Sequence, residues 1–167
     1  MDEKYLARCR KTLKEWGAPL DGWYCVSCYD CCEEPDDELF DCELCGCSAV
    51  RYVHVMRHDW YFEEVRVGCI CAGIMEDDIL AAKEREREVR NRSKRRKNFV
   101  RGGWRKMGYG IMRRTYKGRM LAIQKLQDGR YVVYCDGKLV ASKYKGKKIT
   151  DELSAAYAAF DAVDKEE

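Results

Sequence analysis

Residues 67–73 read VGCICAG. Two cysteines sit one residue apart, where an alternating stretch gives way to a long charged run. A core uses a lone cysteine as a small apolar filler. A pair at a change of pattern points instead to a gripped ion. Upstream, residues 42–46 read CELCG. The two-residue gap lets a tight turn aim the thiolates of Cys42 and Cys45 at one cation, with Gly46 bending the backbone beneath them. Between Cys45 and Cys69 lie 23 residues, enough for one β-hairpin. Residues 49–56, AVRYVHVM, are β-branched and aromatic; residues 64–70, EVRVGCI, set Val65 and Val67 against Glu64 and Arg66. Folding one strand on the other returns the chain to the turn. Cys42, Cys45, Cys69 and Cys71 are therefore expected to enclose one zinc ion. Four thiolates leave no open coordination position, so the site is structural.

Turn, hairpin, then ligands at a helix start resembles the arrangement of treble-clef zinc modules. Those modules present their second pair two residues apart, whereas here the gap is one. A second cluster, CVSCYDCC at 25–32, holds Cys25, Cys28, Cys31 and Cys32. It is expected to supply Cys25, Cys28 and one of the other two to a second zinc, with Cys47 or Cys9 completing the set. One zinc is expected and two are the alternative count; the competing reading is a thiol-rich loop without metal. His54 and His58 can replace a cysteine or act as the base of a histidine–metal nuclease, or else simply pack in the hairpin. Asn91 is the only asparagine in reach of such a nuclease site and no histidine follows it.

The net charge is +3, but residues 83–119 hold 16 basic and three acidic side chains, between an acidic front and a neutral tail. Such a polycationic stretch seeks a polyanion. A long helix is expected over 72–100, acidic in its first turns and basic toward its end, as the helix dipole favours. Glu84, Glu86 and Glu88 can pair along it with Arg87, Arg90 and Arg92. The run RSKRRK has no acidic partner nearby in sequence. Arg90, Arg92, Lys94, Arg95, Arg96, Lys97, Arg101, Arg105 and Lys106 are the candidate phosphate contacts, with Trp104 placed to stack on bases. A protein partner, or the chain's own acidic residues 30–41, is the competing customer.

The tail contains three short strands, in RMLAIQKLQ, RYVVYC and KLVASKY, separated by Asp128-Gly129 and Asp136-Gly137. A helix capped by Thr150 follows, with Leu153, Tyr157, Phe160 and Val163 as its apolar stripe. Residues 3–16 form a helix with Tyr5, Leu6, Cys9, Leu13 and Trp16 on one face, and residues 17–41 read as irregular. The expected fold is α+β: an N-terminal helix and acidic cysteine-rich segment (1–41), a zinc module (42–82), a basic helix and glycine-rich linker (83–117), and a three-stranded antiparallel sheet with one C-terminal helix (118–167).

The block CELCG…RYVHVMRHDWYFEEVRVGCICAGIMEDD…NRSKRRKNFVRGGWRK resembles small zinc-binding proteins of bacteria and of their phages or mobile elements, over roughly residues 42–145. The resemblance implies the metal and no activity. Eleven cysteines, an odd number, without an apolar leader segment favour metal ligation in a reducing cytoplasm over disulfides. No apolar run is long enough to span a membrane. The expected function is non-catalytic binding of nucleic acid or of a nucleic-acid-handling complex. The alternatives are an inhibitor from a mobile element, of the anti-CRISPR or another counter-defence type, and a metal-dependent nuclease.

Overall fold

A computed structural model describes residues 2–164. The chain is α+β, with antiparallel sheets, and divides into two compact units, Met1–Ser93 and Lys94–Glu167. No described helix is long and apolar enough to cross a membrane.

In the first unit, helix α1 (Glu3–Glu15) starts at Asp2, whose carboxylate accepts from the Lys4 N–H at 3.0 Å. Its expected apolar face is real: Cys9 and Leu13 are fully buried. Strands β1 (Tyr24–Asp30), β2 (Tyr52–His58) and β3 (Tyr61–Val67) form a sheet in that order. The β2–β3 hairpin is the expected one. Strand β1 falls in a stretch read as irregular. It pairs Cys25 with Met56 and Ser27 with Val55, leaving Val26 as a bulge. The extra residue breaks the two-residue alternation by which a strand shows itself in sequence.

The helix expected over 72–100 is two helices, α2 (Cys69–Glu76) and α3 (Ile79–Val100). Asp77 closes α2 in the left-handed region, and Asp78 opens α3 by accepting from the Ala81 N–H at 2.9 Å. The acidic triplet thus ends one helix and caps the next. Gly73 permits the corner: a Cβ there would lie 2.7 Å from the Ile79 Cα. Trp23, Met56, Val65, Val67, Ala72, Met75 and Ala82 complete this unit's core.

In the second unit, strands β4 (Arg105–Gly108), β5 (Ile111–Tyr116), β6 (Arg119–Lys125), β7 (Tyr131–Cys135) and β8 (Lys138–Ala141) form an antiparallel meander. Two strands more than expected arise from the stretch read as a glycine-rich linker. Tyr109 and Gly110 join β4 to β5 with φ of 52° and 73°, as a two-residue hairpin turn requires. Asp136 and Gly137 make the same turn between β7 and β8, as expected, whereas Asp128-Gly129 lies in a longer loop. A short hairpin of β9 (Lys143–Tyr144) and β10 (Lys147–Lys148) precedes helix α4 (Glu152–Asp164). Helix α4 buries Ala155, Ala156, Ala159, Phe160 and Val163 against Phe99, Leu121, Ile123 and Val133. Leu153, expected in that stripe, is half exposed; small alanines face the sheet instead.

Candidate metal centre

The turn at Cys42 is built by its own backbone. The Gly46 N–H reaches the Cys42 carbonyl at 2.9 Å, and the Cys42 N–H reaches that of Cys47 at 2.8 Å. A bridge between Phe40 and Val50 ties the flanks together. Cys71 enters from the first turn of α2. The sulfurs of Cys42, Cys45 and Cys71 lie within 4.8 Å of one another and could hold a metal ion. Tetrahedral thiolates about 2.3 Å from zinc stand about 3.8 Å apart. Cys9, reaching in from α1, sits 3.9 Å from the Cys71 sulfur, and the Tyr5 hydroxyl sits 2.8 Å from it.

Charge is concentrated at this point. A hydrogen bond from the Cys71 thiol, assisted by backbone N–H groups of Cys45, Gly68 and Leu44, brings the buried Cys42 down to about 5. The same contact with the Cys42 sulfur, joined by Cys9 and by burial, raises Cys71. One thiolate shared among thiols is a cluster ready to exchange its protons for a dication.

Cys69 does not belong to this set. Residues two apart on a helix point about 200° apart, so Cys71 faces Cys42 while Cys69 joins His54 and Glu86, again within 4.8 Å of one another. Cys28 lies across the strand pair from His54, its sulfur 3.7 Å from Nε2. Burial pushes Cys28 up to about 12, and burial with Glu86 alongside pushes Cys69 to about 11. Burial, then the Arg85 guanidinium, lowers His54 to about 4, so its imidazole is neutral. Cys9 was expected, as an alternative to Cys47, to complete the 25–32 cluster; it lies beside Cys71 instead, and its place on an amphipathic face made it look like core. The only signal was its place beside Tyr5 on that face.

The remaining thiols scatter. Cys31 and Cys32 lie 3.7 Å apart, with the Cys31 thiol directed at the carbonyls of Glu38 and Val50. Cys47 is exposed, and Cys135 is buried in the second unit. His58 accepts from the Trp60 N–H at 3.0 Å and packs edge-on against Trp23.

No protein-family model, curated protein or solved structure matches the chain.

The basic run splits into two populations. Several members are engaged: Arg87 with Glu84 at 2.5 Å, Arg90 with Glu86 at 3.5 Å, and Arg92 near Glu33 at 3.9 Å. Arg95 meets Asp164 at 3.5 Å. Arg96, expected to contact phosphate, is buried. It lies 4.0 Å from the centre of the Tyr157 ring, donates to the Tyr144 hydroxyl and pairs with Asp161 at 3.2 Å. Its acidic partners come from α4, some 65 residues away. Trp104, expected to stack on bases, is half-buried edge-on against Phe99, with its indole N–H buried and unpartnered. Lys94, Lys97, Arg101, Arg105 and Lys106 remain exposed, and among the described residues none has an ion pair. Arg113, opposite Arg105 on the neighbouring strand, shares that condition.

Proposed function

We propose that this chain is a non-catalytic zinc protein that binds nucleic acid. The observation that carries the reading is a group of cations of the basic run, Lys94, Lys97, Arg101, Arg105, Lys106 and Arg113, that are exposed on the second unit and have no ion pair among the described residues. Free cations keep their full charge for phosphates, and counterion release makes such binding steeply salt-dependent. Neighbouring arginines of the same run, such as Arg95 and Arg96, are satisfied within the fold, whereas these keep their charge for an external partner.

Zinc is the metal that suits an all-thiolate, closed set. Cys42, Cys45 and Cys71 hold it, with Cys9 as the fourth ligand. The turn, the hairpin and helix α2 supply a treble-clef-like frame, but with the fourth thiolate borrowed from α1. In this role the ion fixes the frame and supplies no reactive position.

The test is binding of the full chain to single- and double-stranded oligonucleotides across a salt series. Binding should weaken linearly on a logarithmic salt axis. Lys94→Gln, Lys97→Gln and Arg101→Gln together should lower the slope by up to about 0.9 per lost contact on duplex DNA. No binding at low salt, or an unchanged slope in the triple variant, overturns the reading. A protein partner is favoured by one other feature. Trp60 and Phe62 at the β2–β3 turn are 87% and 86% exposed, and aromatics in such positions commonly anchor interfaces. Capture of a nucleic-acid-handling enzyme that is lost on Trp60→Ala, without affinity for bare oligonucleotides, would establish that second reading.

A further inference from the structure

The first unit contains a second convergence of metal-ligating side chains, and the unusual one-residue gap between Cys69 and Cys71 follows from it. We propose that Cys25, Cys28, His54 and Cys69 form a second, separate site for a zinc-class cation. The two cysteines in VGCICAG would then serve two different ions from opposite sides of α2. This inference does not depend on nucleic-acid binding.

Strand register is the first argument. Residues three apart on a regular strand face opposite sides of the sheet. The bulge at Val26 cancels that: Cys25 pairs with Met56 and Cys28 with His54, and positions 54 and 56 share a face. Both cysteines consequently sit in the field of Arg85. A strand that carries C-x-x-C needs such a bulge to present both thiols to one ion. The bulge therefore has a use beyond the sheet itself.

Distance is the second argument. The Cys28 sulfur is 3.7 Å from His54 Nε2, and the ligand atoms of His54, Cys69 and Glu86 lie within 4.8 Å of one another. Cys25 directs its thiol at the Ser27 carbonyl, 3.1 Å away. To join the set its thiol must leave that carbonyl. His54 is fully buried, a position that a polar imidazole occupies only with partners for its nitrogens. A soft thiolate suits zinc better than a carboxylate, so Cys25 rather than Glu86 is assigned as the fourth ligand. Glu86 stays beside Cys69 as an outer carboxylate.

The chemistry balances without a redox partner. Three S–H bonds break, three metal–sulfur bonds and one metal–nitrogen bond form, and three protons leave to solvent. Ligation through Nε2 places the remaining imidazole proton on Nδ1. Nδ1 now accepts from Arg85 Nε at 3.2 Å, so that contact must open. Arg85 stays anchored by Glu76, at 2.6 Å and 3.3 Å.

Native mass spectrometry of the full chain prepared with zinc decides the matter. Two zinc ions per chain are expected. Cys69→Ser and Cys71→Ser should each retain one ion, but different ones. With cobalt in place of zinc, the site left in Cys69→Ser should show an all-sulfur spectrum, and that left in Cys71→Ser a spectrum of three sulfurs and one nitrogen. His54→Gln should also drop the count to one. A single zinc in the wild-type chain overturns the proposal, whatever the variants do. Retention of two ions by both Cys69→Ser and His54→Gln overturns it as well. If one ion remains and depends on Cys42 and Cys71 alone, the first centre stands and this one falls.

Discussion

Arg96 is a cation around which a core has been assembled. Its guanidinium lies over the Tyr157 ring, with Asp161 and Tyr144 taking its N–H groups. Arg96→Ala would remove the packing of the stem and the ion pair with Asp161. Breaking a buried pair costs about 3–5 kcal/mol, and because Asp161 keeps some exposure, a loss near the lower figure is expected in urea unfolding. Lys97→Ala, one position along, should leave stability within about 0.5 kcal/mol while weakening oligonucleotide binding. Both residues read alike in sequence, as members of one basic run. Only the return of α4 distinguishes them. Cys9 teaches the same lesson in reverse, since its neighbours in sequence mark it as core and its neighbours in space are sulfurs.

The corner between α2 and α3 rests on a missing side chain. At Gly73 an added methyl would strike the Ile79 backbone, which cannot rotate away as a flexible side chain would. Gly73→Ala should cost roughly 1–3 kcal/mol, the range for forcing extra volume into a packed site. It should also reduce zinc retention, because α2 carries Cys71. The β4–β5 hairpin depends similarly on Gly110, where φ is 73° and a Cβ would lie 3.3 Å from the Lys125 carbonyl oxygen. Gly110→Ala should destabilise the unit by about 1 kcal/mol or more, read as a lower urea midpoint. Elements with strong local signals were legible: α1, the β2–β3 hairpin, the Asp136-Gly137 turn and α4. Strand β1 was hidden by its bulge. Strands β4 and β5 were hidden by a Tyr-Gly turn, which carries none of the asparagine or aspartate preference that marks such hairpins.

Thiol clusters that could hold metal mark the first unit, and a continuous apolar core the second. The first unit has sulfurs where a larger core would have aliphatic side chains, and its folding should follow metal occupancy. The second has a continuous apolar core of Phe99, Phe160, Leu121, Ile123 and Val133 with no metal-ligating cluster among the described residues. Chelation of the full chain should therefore raise hydrogen exchange throughout α1, β1–β3 and α2 while leaving β5–β7 and α4 protected. Equal loss of protection in both units would contradict this division.

Residue types and short spacings sufficed to mark cysteines that could hold a metal ion, the hairpin that links the two thiol-bearing segments, and the positive charge that gathers behind them. These are local properties: a two-residue gap, a two-residue alternation and a run of like charges leave their mark on neighbouring positions. The partition of the thiols was settled only in three dimensions. Helical geometry turns Cys69 and Cys71 to opposite sides, α1 brings Cys9 to Cys71 from 62 positions away in sequence, and a single bulged residue turns Cys25 toward the face of Cys28. Which members of RSKRRK stay free was settled in the same way, because the carboxylates that meet Arg95 and Arg96 lie far along the chain and reach them only once α4 has docked.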